Sequence, residues 1–271
     1  MLRREWLDSN GTGGYASSTL FNCHTRKYHG LLVANLPAPA CGRHVLLSKI
    51  EDSLLAGPQE CLLTASQYPG VLAPAGGLPL AAFELTTHPT WTFKVGPLEI
   101  RRSIAMLHGE DAVLTRYAVS GTRGAVRLRL RPFLAFRRNH GLARENAAIS
   151  HAVVPGPDGF RVQPYAGMPE LYFQVAGAAR VEVLPAGYWY RDFEYREEQR
   201  RGYDCREDLF LPAILDLVVP ADGEVVVAAA TRHQANPGAL WGVEMARRET
   251  HRLAALTVVR KQGAAAADLA V

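Results

Sequence analysis

The sequence has no run of about 18 apolar residues free of charge, so no segment reads as a membrane-spanning helix. Its opening, MLRREWLDSN, lacks the apolar stretch of a secretory signal. A cytoplasmic location without membrane contact is the expectation. The four cysteines, Cys23, Cys41, Cys61 and Cys205, form no CxxC pair and join no histidine cluster at metal-ligand spacing, so they read as reduced and structural. Neither a metal nor a cofactor is expected. Lys and Arg total 30 against 26 Asp and Glu, a net charge of +4 with the two signs interspersed and no block of either. There is no basic stripe interleaved with aromatics and no recognisable docking motif, so nucleic acid is not an expected partner. Fixed-period repeats and βαβ alternation are also missing, which argues against a solenoid and a doubly wound sheet.

What is present is an ordinary globular balance, 48% apolar and 21% charged over 271 residues, enough for one large domain or two modest ones. The clearest strand is Ala125 to Arg131, where Val126, Leu128 and Leu130 alternate with arginines. Period-two patterns recur at Trp91, Phe93 and Val95, at Leu98 and Ile100, and at Tyr172 to Val175, with Gly, Pro and Asp between them. Two mainly apolar runs, Ile214 to Val219 (with Asp216 inside it) and Val225 to Ala229, flank Pro220 to Gly223 and suggest a hairpin of strands buried on both faces. A helix begins only at Asn236-Pro237, with Leu240, Val243, Arg247 and Leu253 spaced along it. Strands followed by one late helix predict a mainly β fold, a large two-sheet antiparallel β-sandwich over 1–262. Residues 263–271, rich in alanine, read as a linker.

Three segments carry candidate chemistry. Asn10-Gly11-Thr12-Gly13-Gly14-Tyr15 matches neither GxGxxG nor a P-loop, so nucleotide binding is rejected; its glycines suit a tight turn or a close approach by a ligand. His24-Thr25-Arg26-Lys27-Tyr28-His29 sets two cations, a phenol and an imidazole before an apolar strand, a group that suits a polyhydroxylated ligand or equally a charged surface with a half-buried histidine. The stretch from Tyr188 to Pro212 is the densest in aromatics and charge, as a glucan-contacting surface or a domain interface would be. Its Glu197, Glu198, Asp204, Glu207 and Asp208 are formal candidates for a glycosidase carboxylate pair, but each has arginine nearby in sequence and better suits an ion-pair network. Arg131 to His140 reads as a strand end with a solvated loop.

Together EWLDSNGTGGYASSTL, HTRKYHGLLVANLP, LLSKIED and EYREEQRRGYDCREDLFLP, in that order and spacing, resemble the N-terminal domain of bacterial and archaeal glycogen debranching enzymes over almost the whole chain. Asp8-Ser9 departs from that pattern, standing where an apolar residue and threonine are more usual. The resemblance implies a large sandwich (a galactose-mutarotase-like supersandwich) like the one preceding the helical barrel of glucoamylase-like hydrolases. It further implies that the parent enzymes hydrolyse α-1,6-glucosidic branch points of glycogen with an acid and base carried by a C-terminal (α/α)6 barrel. The implied role of this chain is noncatalytic, with no catalytic residue of its own: it packs on that barrel and helps shape the glucan cleft. The substrate or interface residues would be Tyr15, Arg26, Lys27, Tyr28, His29, Tyr195, Glu198, Arg201, Tyr203, Asp204, Glu207 and Asp208. The barrel and an α-glucan such as glycogen or a maltooligosaccharide are the expected partners. Two other readings stand beside this one: a freestanding glucan-binding module stacking sugar on Trp189, Tyr190 and Tyr203, and a self-contained hydrolase using a carboxylate pair between Glu197 and Asp208.

Overall fold

A computed structural model describes residues 3–56 and 59–268, without the side chains of residue 56 and residues 259–268. In chain order the strands are β1 (Glu5–Ser9), β2 (Tyr15–Thr19), β3 (Gly30–Leu36), β4 (Gly42–Ala56), β5 (Gln59–Leu62), β6 (Ser66–Tyr68), β7 (Val71–Ala73), β8 (Leu80–Leu85) and β9 (Pro89–Val95). They continue as β10 (Leu98–Met106), β11 (Ala112–Ser120), β12 (Val126–Arg138), β13 (Val153–Gly156), β14 (Gly159–Val162), β15 (Leu171–Ala176) and β16 (Arg180–Glu194). A short helix α1 (Arg196–Arg200), strands β17 (Arg206–Val219) and β18 (Glu224–Ala230), and the long helix α2 (Pro237–Asp268) complete the chain.

All the strands except β6 and β7, which pair only with each other, build two large antiparallel sheets, the predicted sandwich. The first has the order β1-β2-β3-β4-β12-β17-β16, with β5 added beside β4; the second runs β13-β14-β15-β18-β11-β10-β9-β8. Strict alternation explains the packing. Val126, Leu128 and Leu130 of β12 and Leu215, Leu217 and Val219 of β17 turn inward to meet Ile100, Val113, Val225 and Val227 of the second sheet in one continuous core. Across this apolar layer Arg102 on β10 reaches Asp52 on β4, donating from one nitrogen to both carboxylate oxygens at 2.9 and 2.8 Å. Trp91 and Phe93 flank its guanidinium, with ring centroids 4.4 and 5.1 Å away.

The apolar runs on either side of Pro220 to Gly223 do not form the expected hairpin. β17 pairs with β12 and β16 in the first sheet, whereas β18 pairs with β11 and β15 in the second, so the turn carries the chain from one sheet to the other. Both strands are nevertheless buried on both faces, because each sheet also has a covered outer surface. Val226, Ala228 and Ala230 lie under Trp241 of α2, and Leu209 and Leu211 lie in an outer cluster with Val33, Val45, Phe133 and Phe193.

Helix α2 starts where the sequence places it: the Asn236 carboxamide oxygen accepts from the Ala239 amide at 3.0 Å. Its buried face does not follow the spacing of Leu240, Val243 and Leu253. Trp241, Glu244 and Arg248 are buried, whereas Val243 and Leu253 are 69% and 52% exposed. Arg248 donates to Asp8 at 2.9 and 2.7 Å, to Glu244 at 2.7 Å and to the carbonyls of Thr87 and Met106, locking the helix to the second sheet through the first strand of the first. The unusual Asp8 is thus half of the lock. The helix continues through Asp268, so residues 263–268 of the expected linker are helical, and 269–271 lie outside the described residues.

Candidate functional site

The glycine-rich opening is a hairpin turn. Ser9 faces Tyr15 across β1 and β2, and the buried Asn10 ties the loop by accepting from the amides of Thr12 and Gly14, both at 2.9 Å. Gly11 and Gly13 have φ of +80° and +97°, and a Cβ on Gly14 would stand 2.6 Å from the Asn10 amide nitrogen. These glycines shape backbone, and what they deliver to the surface is Tyr15, whose hydroxyl donates to the Tyr28 carbonyl at 2.8 Å.

Three stretches far apart in sequence then converge: the 24–29 loop, the end of β12, and the region from Tyr195 to Asp208. Glu207 is fully buried and organises them. Arg137 donates to its two oxygens at 2.5 and 2.9 Å, the Ala143 amide donates at 2.7 Å, and the Tyr195 hydroxyl donates as well. Burial disfavours the Arg137 charge, but Glu207 outweighs it and the guanidinium's pKa is raised. Burial first, and Glu207 second, raise the Tyr195 phenol well above its ordinary value, which keeps it a donor. Arg137 also donates to the Lys27 carbonyl at 2.8 Å, and the Glu197 amide donates to the Thr25 carbonyl at 2.9 Å, so the 24–29 loop is fastened to this platform. Arg131 to His140 is a strand end whose Arg138 and His140 are exposed, as expected, but Arg137 does not share that solvated surface. β12 slips register after Leu130 and again after Leu134, Phe136 takes φ of +46°, and the break in alternation turns Arg137 inward.

Above the platform lies an exposed ledge. Lys27 sits between two phenol rings, 5.6 Å from the centroids of both Tyr28 and Tyr203, and Arg201 covers Tyr203 at 5.0 Å. His140 meets Tyr28 edge-on, with its Nδ1 3.3 Å from the phenol oxygen. Beside the ledge a hollow of about 280 Å³ is lined by Glu5, Leu7, Tyr15, Arg26, Tyr28 and His29. In it Arg26 donates to Glu5 at 2.7 Å, and the buried His29 brings Nε2 within 3.6 Å of the same oxygen while Nδ1 accepts from the Thr25 amide. Hydrogen bonding from His29, and then from Arg26, overcomes burial and lowers the Glu5 pKa to about 2, so the hollow holds a fixed carboxylate.

Of the predicted residues, Tyr15, Arg26, Lys27, Tyr28, Arg201 and Tyr203 gather at this surface, with His29 buried at the floor of the hollow. Tyr195, Glu198 and Glu207 lie beneath it, buried. One oxygen of Glu198 accepts from the Lys27 amide at 3.4 Å, and the other has no hydrogen-bond partner among the described residues. Asp208, next to Glu207 on β17, points the opposite way and accepts from the amides of Glu145 and Asp192, both at 3.0 Å. Asp204 is exposed and 3.5 Å from Arg144. Sequence reasoning missed Glu5, Arg137 and His140, whose partners are remote along the chain. Trp189, Tyr190 and Tyr203 do not share a platform: Tyr190 packs in the outer cluster against Phe133, Trp189 packs beside Phe210 of the inner core, and Tyr203 stands on the ledge. No group of three potential metal ligands occurs among the described residues, and no described helix is long and apolar enough to cross a membrane.

A family described as glycogen debranching enzyme N terminal matches residues 4–226 of this chain. Solved structures similar to it include a bacterial glucoamylase complexed with acarbose, 9% identical over 93% of this chain and 33% of that one, with a TM-score of 0.36. A mutant of heparan sulfate lyase HepC from Pedobacter heparinus is 13% identical over 58% and 22% of the two chains, with a TM-score of 0.34. The heparinase III-BT4657 gene product is 11% identical over 56% and 21%, with a TM-score of 0.28. The chain thus spans a third or less of the length of these structures. No curated protein matches it.

Proposed function

This chain belongs to the glycogen debranching enzyme N-terminal family, and from that membership we propose that it serves as the noncatalytic N-terminal domain of an enzyme that hydrolyses α-1,6 branches of glycogen. On this reading a helical barrel domain supplies the acid and base. The chain packs on that barrel and extends its glucan cleft with the ledge of Tyr28, Lys27, Tyr203 and Arg201. The observation that carries the reading is the construction of this ledge: aromatic faces suited to sugar C–H surfaces and cationic donors suited to hydroxyls, held on a buried Arg137–Glu207–Tyr195 platform. The carboxylates that a self-contained hydrolase would use favour the same conclusion, because Glu207 and Asp208 are buried and already accept from neighbouring groups. Four free cysteines fit a reducing, cytoplasmic setting.

Calorimetric titration of the chain with maltooligosaccharides and a branched glucan, with glucose release followed in the same samples, tests the proposal. Weak binding without hydrolysis, reduced about 5- to 10-fold by Tyr203→Ala, is the expected result. Glucose release that is lost in Asp208→Asn would overturn the noncatalytic assignment. Failure to form a complex with the helical domain would overturn the packing role.

A further inference from the structure

We propose that a trough at the edge strand β16, on the side of β17 opposite the ledge, is a second glucan-binding site that takes a stretch of uncharged α-linked oligosaccharide; this deepens the glucan-contact reading and rests on it. The trough is an open hollow of about 630 Å³ lined by Glu145, Asn146, His151, Tyr188, Trp189 and Arg191. That volume is within the range of small-molecule sites, roughly 300–1,000 Å³.

Its walls are built rather than incidental. β16 slips register between Pro185 and Tyr188 and again between Tyr190 and Phe193, so the Tyr188 to Tyr190 stretch is set off from the regular ladder. Gly187 has φ of +72°, and a Cβ there would stand 2.9 Å from the His151 ring, so this residue must be glycine for His151 to hold its place against Phe210. Asp192 has φ of +62° and donates its amide to Asp208, whose other oxygen accepts from the Glu145 amide. One buried carboxylate therefore fixes both sides of the trough, which gives Asp208 a positioning role.

The lining points to a neutral polyol. Tyr188 is 63% exposed and Trp189 is half-buried, so both can offer aromatic surface to pyranose C–H groups. Arg191 pairs with Glu145, leaving the charged lining balanced, while the exposed His151 ring can donate and accept. A phosphorylated or sulfated ligand would meet no excess of positive charge here.

Tryptophan fluorescence separates this site from the ledge. Trp6, Trp91 and Trp241 are buried, so Trp189 is the residue whose emission a ligand at this surface would alter. Titrating the full chain with maltoheptaose should give a saturable emission change that persists in Tyr203→Ala, weakens about 5- to 10-fold in Tyr188→Ala, and disappears in Trp189→Phe. Far-UV circular dichroism of each variant confirms the fold, and Arg191→Ala, an exposed change, should weaken the response too. Calorimetric binding with no tryptophan response, lost in Tyr203→Ala, would overturn the trough and leave the ledge reading intact. Absence of both heat and emission change would overturn both.

Discussion

Replacing Glu207 with glutamine would leave the buried Arg137 guanidinium without a counter-charge while keeping nearly the same volume. Breaking a buried pair in this way costs about 3–5 kcal/mol, so Glu207→Gln should lower the urea midpoint accordingly and weaken sugar binding only indirectly, through loss of the ledge. Glu5 makes a pH-dependent contribution. Its folded-state pKa is depressed to about 2 from an ordinary 4.5, so the stability it adds is full above pH 4.5 and is lost as pH falls towards 2. Unfolding midpoints measured between pH 5 and 2 should fall less steeply in Glu5→Gln than in the parent. The residue types at this site were readable in the sequence, since a loop with Arg26, Lys27, Tyr28 and His29 and a stretch with Tyr203 and Glu207 both stood out. Their division into surface and support was not. Arg137 lies 70 residues from Glu207, and nothing local distinguishes a solvated arginine at a strand end from one that a backbone bulge turns inward.

Helix α2 gives the corresponding lesson for elements. Its start follows from Asn236 and Pro237, but its docked face does not follow from apolar spacing, because two of its buried side chains, Glu244 and Arg248, are charged. What fixes that face is Asp8, 240 residues away. Arg248→Met should therefore loosen the helix selectively, costing about 3 kcal/mol and speeding amide exchange from Trp241 to Arg248 by about 100-fold, with little change in the central strands. Equal acceleration in β12 and β17 would show that the helix does not open on its own. The strands were more legible, since period-two alternation located β9, β12 and β15 directly. It failed for pairing: two apolar runs across a four-residue turn look alike whether the chain doubles back within a sheet or passes to the facing one, and here the outer coverings by α2 and by the Phe133–Phe193 cluster let both strands carry apolar residues on both faces.

For the molecule as a whole, the question is whether two sheets act as one body. A single apolar layer joins them, and the contact most sensitive to their separation is the Arg102–Asp52 pair, with both side chains at most 2% exposed. Its geometry ties β10 to β4, so pulling the sheets apart by even a few ångströms would strand both charges in an apolar medium. Removing one partner should therefore be worse than removing both. Arg102→Met is expected to cost about 3–5 kcal/mol, whereas Arg102→Met combined with Asp52→Leu should recover a substantial part of that loss, because the desolvation penalty leaves with the charges. Urea unfolding of the two variants, followed by tryptophan fluorescence and far-UV circular dichroism together, checks both points. Coincident transitions would show one cooperative sandwich, and a double variant no more stable than Arg102→Met would show that the loss does not come from a stranded Asp52 charge.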